Sequence, residues 1–159
     1  MGITAHMNHY EDLIVGRIQR YGAYEVTREE VIDFARKYDP QPFHLDDAAA
    51  AATHFGRLSA SGWHTGAMVM SMMVANMQAN EPQAGLGSPG VDELRWVKPV
   101  YPGDTLSCEN ELLEKRRSKS RPEMGILKAR TTVRNQHGDV VMTLIANGLI
   151  ATRDPHGAD

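Results

Sequence analysis

Cysteine is almost missing from this chain: Cys108 is the sole thiol in 159 residues. A lone cysteine excludes an internal disulfide framework and fits a reducing compartment. Its place in an alternating stretch marks it as a buried thiol rather than a nucleophile. Long apolar runs are missing as well. The most apolar one, "GAMVMSMMVANM" at 66–77, falls well short of the roughly 20 residues needed to cross a bilayer. The opening "MGITAHMNHYEDL" holds no apolar signal core. A cytoplasmic protein is therefore expected, with Met7 as a second candidate start. No charge of one sign dominates: a net charge of −3 excludes a general nucleic-acid binder. Internal repeats, low-complexity tracts and linkers are absent too.

What remains has the make-up of an ordinary globular protein, 42% apolar and 23% charged. The length suits one domain with a real core. The expected division is a single domain over 1–159, with the core at about 10–153 and flexible tails at 1–9 and 154–159. The first half reads as helices and rigid loops. "TREE" at 27–30 is a capping box, with Thr27 as N-cap and Glu30 three residues on. The helix it opens should present Val31, Ile32, Phe34 and Ala35 to a core and stop near Tyr38. "DDAAAAATHF" predicts a short helix with Asp46 or Asp47 at its N-terminus, where negative charge suits the helix dipole. From Trp63 to Met77 apolar residues occupy nearly every face, as in a helix buried all round, and its five methionines suit irregular packing space.

The second half switches to a period of two. "VDELRWVKPV", "DTLSCENELLEKR", "MGILKARTTVRN" and "VVMTLIANGLIATR" each predict a strand. In the third, Leu127, Ala129, Thr131 and Val133 share one face, and Arg130, Thr132 and Arg134 the other. "YPGDT" and "NQHGD" are turn sequences, the latter closing a hairpin. The expected fold class is α+β: an antiparallel sheet wrapped around a long central helix.

One segment has the texture of a site. In "YDPQPFH", at 38–44, Asp39 and Gln41 both precede prolines. Proline fixes its own φ and turns the preceding residue away from helical geometry, so an extended, stiff segment is expected here. It would hold the Asp39 carboxylate and the His44 imidazole in a defined relation, as acid–base chemistry requires. An isolated Asp and His at this spacing would more often be a capped turn and a structural histidine. His54 and His64 bring no helical i,i+4 metal pair or carboxylate triad to His44, so no metal site is expected. The basic run "KRRSKSR", 115–121, reads as a solvated strand end, with coenzyme A phosphates as the functional alternative.

Taken in order, "DFARKYDPQPFHLDDAAAAATHFGRLSASGWHTGAM", "ELRWVKPVYPGDTL" and "NQHGDVV" resemble the MaoC-like dehydratase family, which includes the (R)-specific enoyl-CoA hydratases and has the hotdog fold. The resemblance runs from about Tyr10 to Arg153. It implies that Asp39 and His44 are the catalytic acid–base pair and that the Gly62 backbone N–H forms an oxyanion hole. The family hydratases typically carry Asn-Pro where this chain has Gln41-Pro42, and often a His where it has Ser61. Gln41 and Ser61 are thus expected in the pocket wall, with Trp63 and His64 as further substrate-binding or dimer-packing residues. The implied activity is hydration of a 2-enoyl thioester, or dehydration of a 3-hydroxyacyl thioester, with coenzyme A as part of the substrate. No metal or redox cofactor is required. A homodimer or higher homo-oligomer is implied; no nucleic-acid or membrane partner is expected. Two other readings are a non-catalytic acyl-CoA-binding hotdog module and an acyl-CoA thioesterase. The thioesterases generally place their acid on the central helix, and 63–77 contains no Asp or Glu.

Overall fold

The structure, a computed structural model, describes residues 6–157. The parts of the expected tails at 1–5 and 158–159 lie outside the described residues. Five antiparallel strands form one sheet: β1 (Ile18–Glu25), β2 (Gly85–Trp96), β3 (Thr105–Arg117), β4 (Met124–Arg134) and β5 (Val140–Ala151). Their spatial order is β1-β3-β4-β5-β2, which leaves β1 and β2 as the edges. Three helices come from the first half: α1 (Arg28–Tyr38), α2 (Asp47–Ala51) and α3 (Gly62–Ala79). Single 3-10 turns occupy Tyr10–Asp12 and Pro42–His44.

Local chemistry accounts for most of these elements. The Thr27 hydroxyl accepts from the Glu30 N–H at 3.3 Å and starts α1. Glu30 does not complete the reciprocal box: its carboxylate accepts the Tyr24 hydroxyl at 2.7 Å, tying α1 to β1. Asp46 caps α2 by accepting from the Ala49 N–H at 2.8 Å. The "NQHGD" turn closes the β4–β5 hairpin, with Gly138 at φ 81, a conformation glycine adopts without a Cβ penalty.

The strand β1 departs from the sequence expectation, which placed strands only in the second half. Its alternation breaks at Gly22, where φ is 85 and the pairing with β3 shifts between Tyr21 and Tyr24. A bulge there disrupts the period of two that would have revealed the strand. Met72 on α3 fills the space: a Cβ on Gly22 would sit 2.4 Å from its sulfur.

The core joins α1, α3 and the inner sheet face through Val31, Met68, Met72, Leu106, Val133 and Met142. Cys108 lies within it, 3% exposed, and burial pushes its thiol up to about 12. The helix α3 is not buried all round. Thr65, Met68, Val69 and Met72 face the core, whereas Trp63, Ala67, Met70 and Val74 form an exposed apolar stripe. The helix packs on the β1–β3 side of the sheet, and among the described residues its other flank stays exposed. No helix among the described residues is long and apolar enough to cross a membrane.

Candidate functional site

The Pro-rich segment between α1 and α2 carries the site. Helix α1 ends at Tyr38 because Asp39, before Pro40, leaves helical geometry at φ −151, ψ 67. The segment is not a rod throughout. Gln41 is extended, at φ −75, ψ 139, but Pro42 opens a 3-10 turn in which the His44 N–H bonds to the Gln41 carbonyl at 2.9 Å. Proline suits a first helical position, since its φ is preset and its missing N–H needs no partner there. The turn brings His44 back toward Asp39: Nε2 lies 3.5 Å from Oδ2.

A second segment, Leu58 to Ser61, runs alongside and is buried throughout. Its Ala60 N–H is anchored on the Val100 carbonyl at 2.8 Å. The Ser59 carbonyl sits 2.7 Å from His44 Nδ1. A carbonyl can only accept, so Nδ1 carries the proton and, in the neutral ring, Nε2 presents its lone pair toward Asp39. Phe43 packs edge-on against the His44 ring, with centroids 4.6 Å apart. His44 is 5% exposed and the Asp39 side chain 16%, so the pair is shielded yet reachable through the carboxylate.

Both Asp39 oxygens accept hydrogen bonds, Oδ2 from the Ser61 hydroxyl at 2.6 Å and Oδ1 from the Gln41 amide at 2.7 Å. Burial works to raise the Asp39 pKa. The Ser61 and Gln41 bonds, with the neighbouring His44, outweigh it and hold the carboxyl below its ordinary range. Gln41 and Ser61 thus turn their polar groups to Asp39.

Gly62, the next residue, begins α3. Ser61 makes no side-chain cap to that helix. A Cβ on Gly62 would lie 2.5 Å from the Trp96 ring, so the close approach of Trp96 by itself requires glycine. Trp63 stacks edge-on against Trp96 at 5.1 Å and is 63% exposed. His64 points the other way, buried and stacked on Phe34 of α1 with centroids 4.7 Å apart. Burial pulls its pKa down, although nearby Glu30 opposes this. His54 packs against Phe55, whose ring also lies 5.9 Å from that of His44, whereas His64 stands apart on Phe34. In the basic run, Lys115 donates to the Tyr10 carbonyl and Arg117 pairs with Glu11, so these two cations serve packing at the N-terminal turn.

A cavity of about 350 Å³ lies between the second half of α3, through Met70, Met73 and Met77, and the sheet residues Leu127, Ala129 and Ala146. Neither Asp39 nor His44 lines it. The Ser59 carbonyl escaped sequence reasoning, because a main-chain acceptor leaves no residue-type signal.

Comparison with known proteins agrees with this architecture. A family model described as "MaoC like domain" matches residues 14–134. The MaoC-like dehydratase from Rhodospirillum rubrum superposes with a TM-score of 0.83 at 37% identity, covering 92% of this chain and 99% of that one. The R-hydratase PhaJ1 from Pseudomonas aeruginosa superposes with a TM-score of 0.69 at 30% identity, covering 92% and 86%. The mesaconyl-CoA hydratase of Cereibacter sphaeroides is 35% identical over 65 residues, 41% of this chain and 19% of that protein.

Proposed function

The chain belongs to the MaoC-like dehydratase family, and from that premise we propose that it adds water to a 2-enoyl thioester, or removes it from a 3-hydroxyacyl thioester, with coenzyme A as the carrier. The observation that carries this reading is the facing of two acceptors. His44 Nε2 and Asp39 Oδ2 stand 3.5 Å apart, and while the imidazole is neutral both present lone pairs to the space between them. One water can donate to both, and an acyl β carbon beside it would receive a nucleophilic oxygen. The proton that His44 takes from the water is then delivered to the α carbon, so that OH and H add across the double bond and the imidazole returns to its starting state. In the reverse sense the same groups remove the 3-hydroxyl as water. Negative charge developing on the thioester oxygen falls to the Gly62 N–H at the start of α3, where free donors and the helix dipole favour it. Coenzyme A as carrier is supported by the similarity to a mesaconyl-CoA hydratase. The hydratase class is supported by the (R)-hydratase neighbour.

The reading includes a homodimer. The exposed α3 stripe of Trp63, Ala67, Met70 and Val74 carries no charge, and the edge strand β2 exposes Leu86, Val91 and Trp96. Trp63 touches Trp96, so stripe and edge form one continuous surface that a second copy can cover.

The test is the loss of conjugated-thioester absorbance when short, medium and branched trans-2-enoyl-CoAs meet the protein. Turnover is expected, and Asp39→Asn or His44→Gln should lower it by about 10²–10⁴-fold. Absence of turnover across the panel rejects the reading. Tight acyl-CoA binding that those substitutions leave untouched would establish the binding-module alternative.

A further inference from the structure

We propose that Ser61 is a positioning residue acting on Asp39, and that with Gln41 it forms a hydroxyl–amide clamp keeping the carboxylate ionised and aimed at His44. The inference rests on the hydratase reading for its meaning, but its geometry stands without it. Ser61 occupies the N-cap position of α3, where a serine hydroxyl ordinarily accepts from a helix N–H. Here that hydroxyl makes no cap and instead donates to Asp39 Oδ2 at 2.6 Å. Ser61 is fully buried, so the direction of its one proton is a structural commitment rather than a surface accident. Gln41 donates to the opposite oxygen at 2.7 Å from a backbone held by prolines on both sides. A carboxylate is acceptor-only and accepts more strongly than a neutral carboxyl, so both donors favour the ionised form.

The clamp also sets direction. With one donor on each oxygen, the carboxylate cannot turn about its Cβ–Cγ bond without breaking both bonds. Its remaining lone pair on Oδ2 stays toward His44 Nε2, 3.5 Å away. The side chains set against Asp39 come from three elements: Ser61 from the entry to α3, Gln41 from the Pro-rich loop and His44 from the 3-10 turn. Of these only His44 is ionisable. Ser61 and Gln41 are thus the non-titrating groups that fix the charge state of the pair, and with it the division of labour. Asp39 works as a standing carboxylate, and His44 is the group that takes up and releases the proton.

The experiment follows the Asp39 carboxyl carbon by NMR in ¹³C-aspartate-labelled protein, assigned with Asp39→Asn. Titrations of the wild type are compared with Ser61→Ala and Gln41→Leu. Gln41 is exposed, so the second variant tests the clamp even where the first disturbs packing. Both variants should titrate Asp39 at higher pH than the wild type. The acid limb of the pH–rate profile should move up with it, and kcat should fall about 10- to 100-fold with KM little changed. An Asp39 titration unmoved in both variants overturns the proposal, as does a rate loss equal at every pH. A wild-type protein that hydrates no enoyl thioester removes the hydratase reading, while the carboxyl titration still decides the clamp.

Discussion

At the scale of single residues, the site is a matter of who satisfies whom. Gly62 shows two demands meeting at one position. The oxyanion role proposed for its N–H needs an open helix start, and the Trp96 ring needs the absence of a Cβ. Gly62→Ala would drive a methyl to within 2.5 Å of that ring. Overpacking of this kind costs about 1–3 kcal/mol, so the variant's denaturation midpoint should drop by that equivalent even if its activity assay is ambiguous. An unchanged midpoint would show that Trp96 can swing aside. That Asp39 and His44 would stand together was readable from residue type and the prolines around them. The roles of Gln41 and Ser61 were not, because a polar side chain beside a site can face ligand or catalyst equally well. Only the 2.6 Å and 2.7 Å contacts decide for Asp39.

At the scale of elements, the two ends of the chain are fastened together. The Glu11 carboxylate, on the first 3-10 turn, accepts the Arg153 N–H at 2.9 Å, the Asp154 N–H at 3.2 Å and Arg117 of β3 at 3.1 Å. Partial burial works to raise its pKa, but the backbone donors and Arg117 outweigh it and bring it to about 2, against an ordinary 4.5. A depressed carboxyl stabilises the fold fully above its unfolded value and loses that contribution as pH falls from about 4.5 toward 2. Acid unfolding followed by circular dichroism should therefore be less steep over that window in Glu11→Gln, which should also be less stable than the wild type at neutral pH. Identical acid profiles would remove the latch. Capping residues and turns made α1, α2 and the β4–β5 hairpin legible in advance, since each is specified by contacts within a few residues. The strand β1 was hidden because its bulge at Gly22 answers to Met72, fifty positions away in sequence.

At the scale of the whole molecule, the exposed flank of α3 bears on the proposed homodimer. A homodimer should sediment at twice the 17.6 kDa chain mass. Met70→Glu paired with Val74→Glu should shift it to the monomer while far-ultraviolet circular dichroism stays native. A wild type that sediments as a monomer at micromolar concentration would refute the dimer. Sequence analysis anticipated a helix buried on every face. The single chain buries one flank and exposes the other, because the sheet it wraps reaches only part of the way round. The amino-acid order by itself determined what depends on near neighbours: the capped helices, three of the paired strands almost to their ends, the α+β class, and an aspartate and a histidine braced by prolines. Tertiary structure decided what depends on distant atoms meeting: a fifth strand with its bulge, the Ser59 carbonyl that sets the His44 tautomer, and the Ser61 hydroxyl that leaves a helix uncapped to hold a carboxylate. Local hydrogen bonds and φ preferences act over three or four residues and leave a trace in the sequence. Directional contacts between segments fifteen to fifty residues apart leave none until the chain has folded.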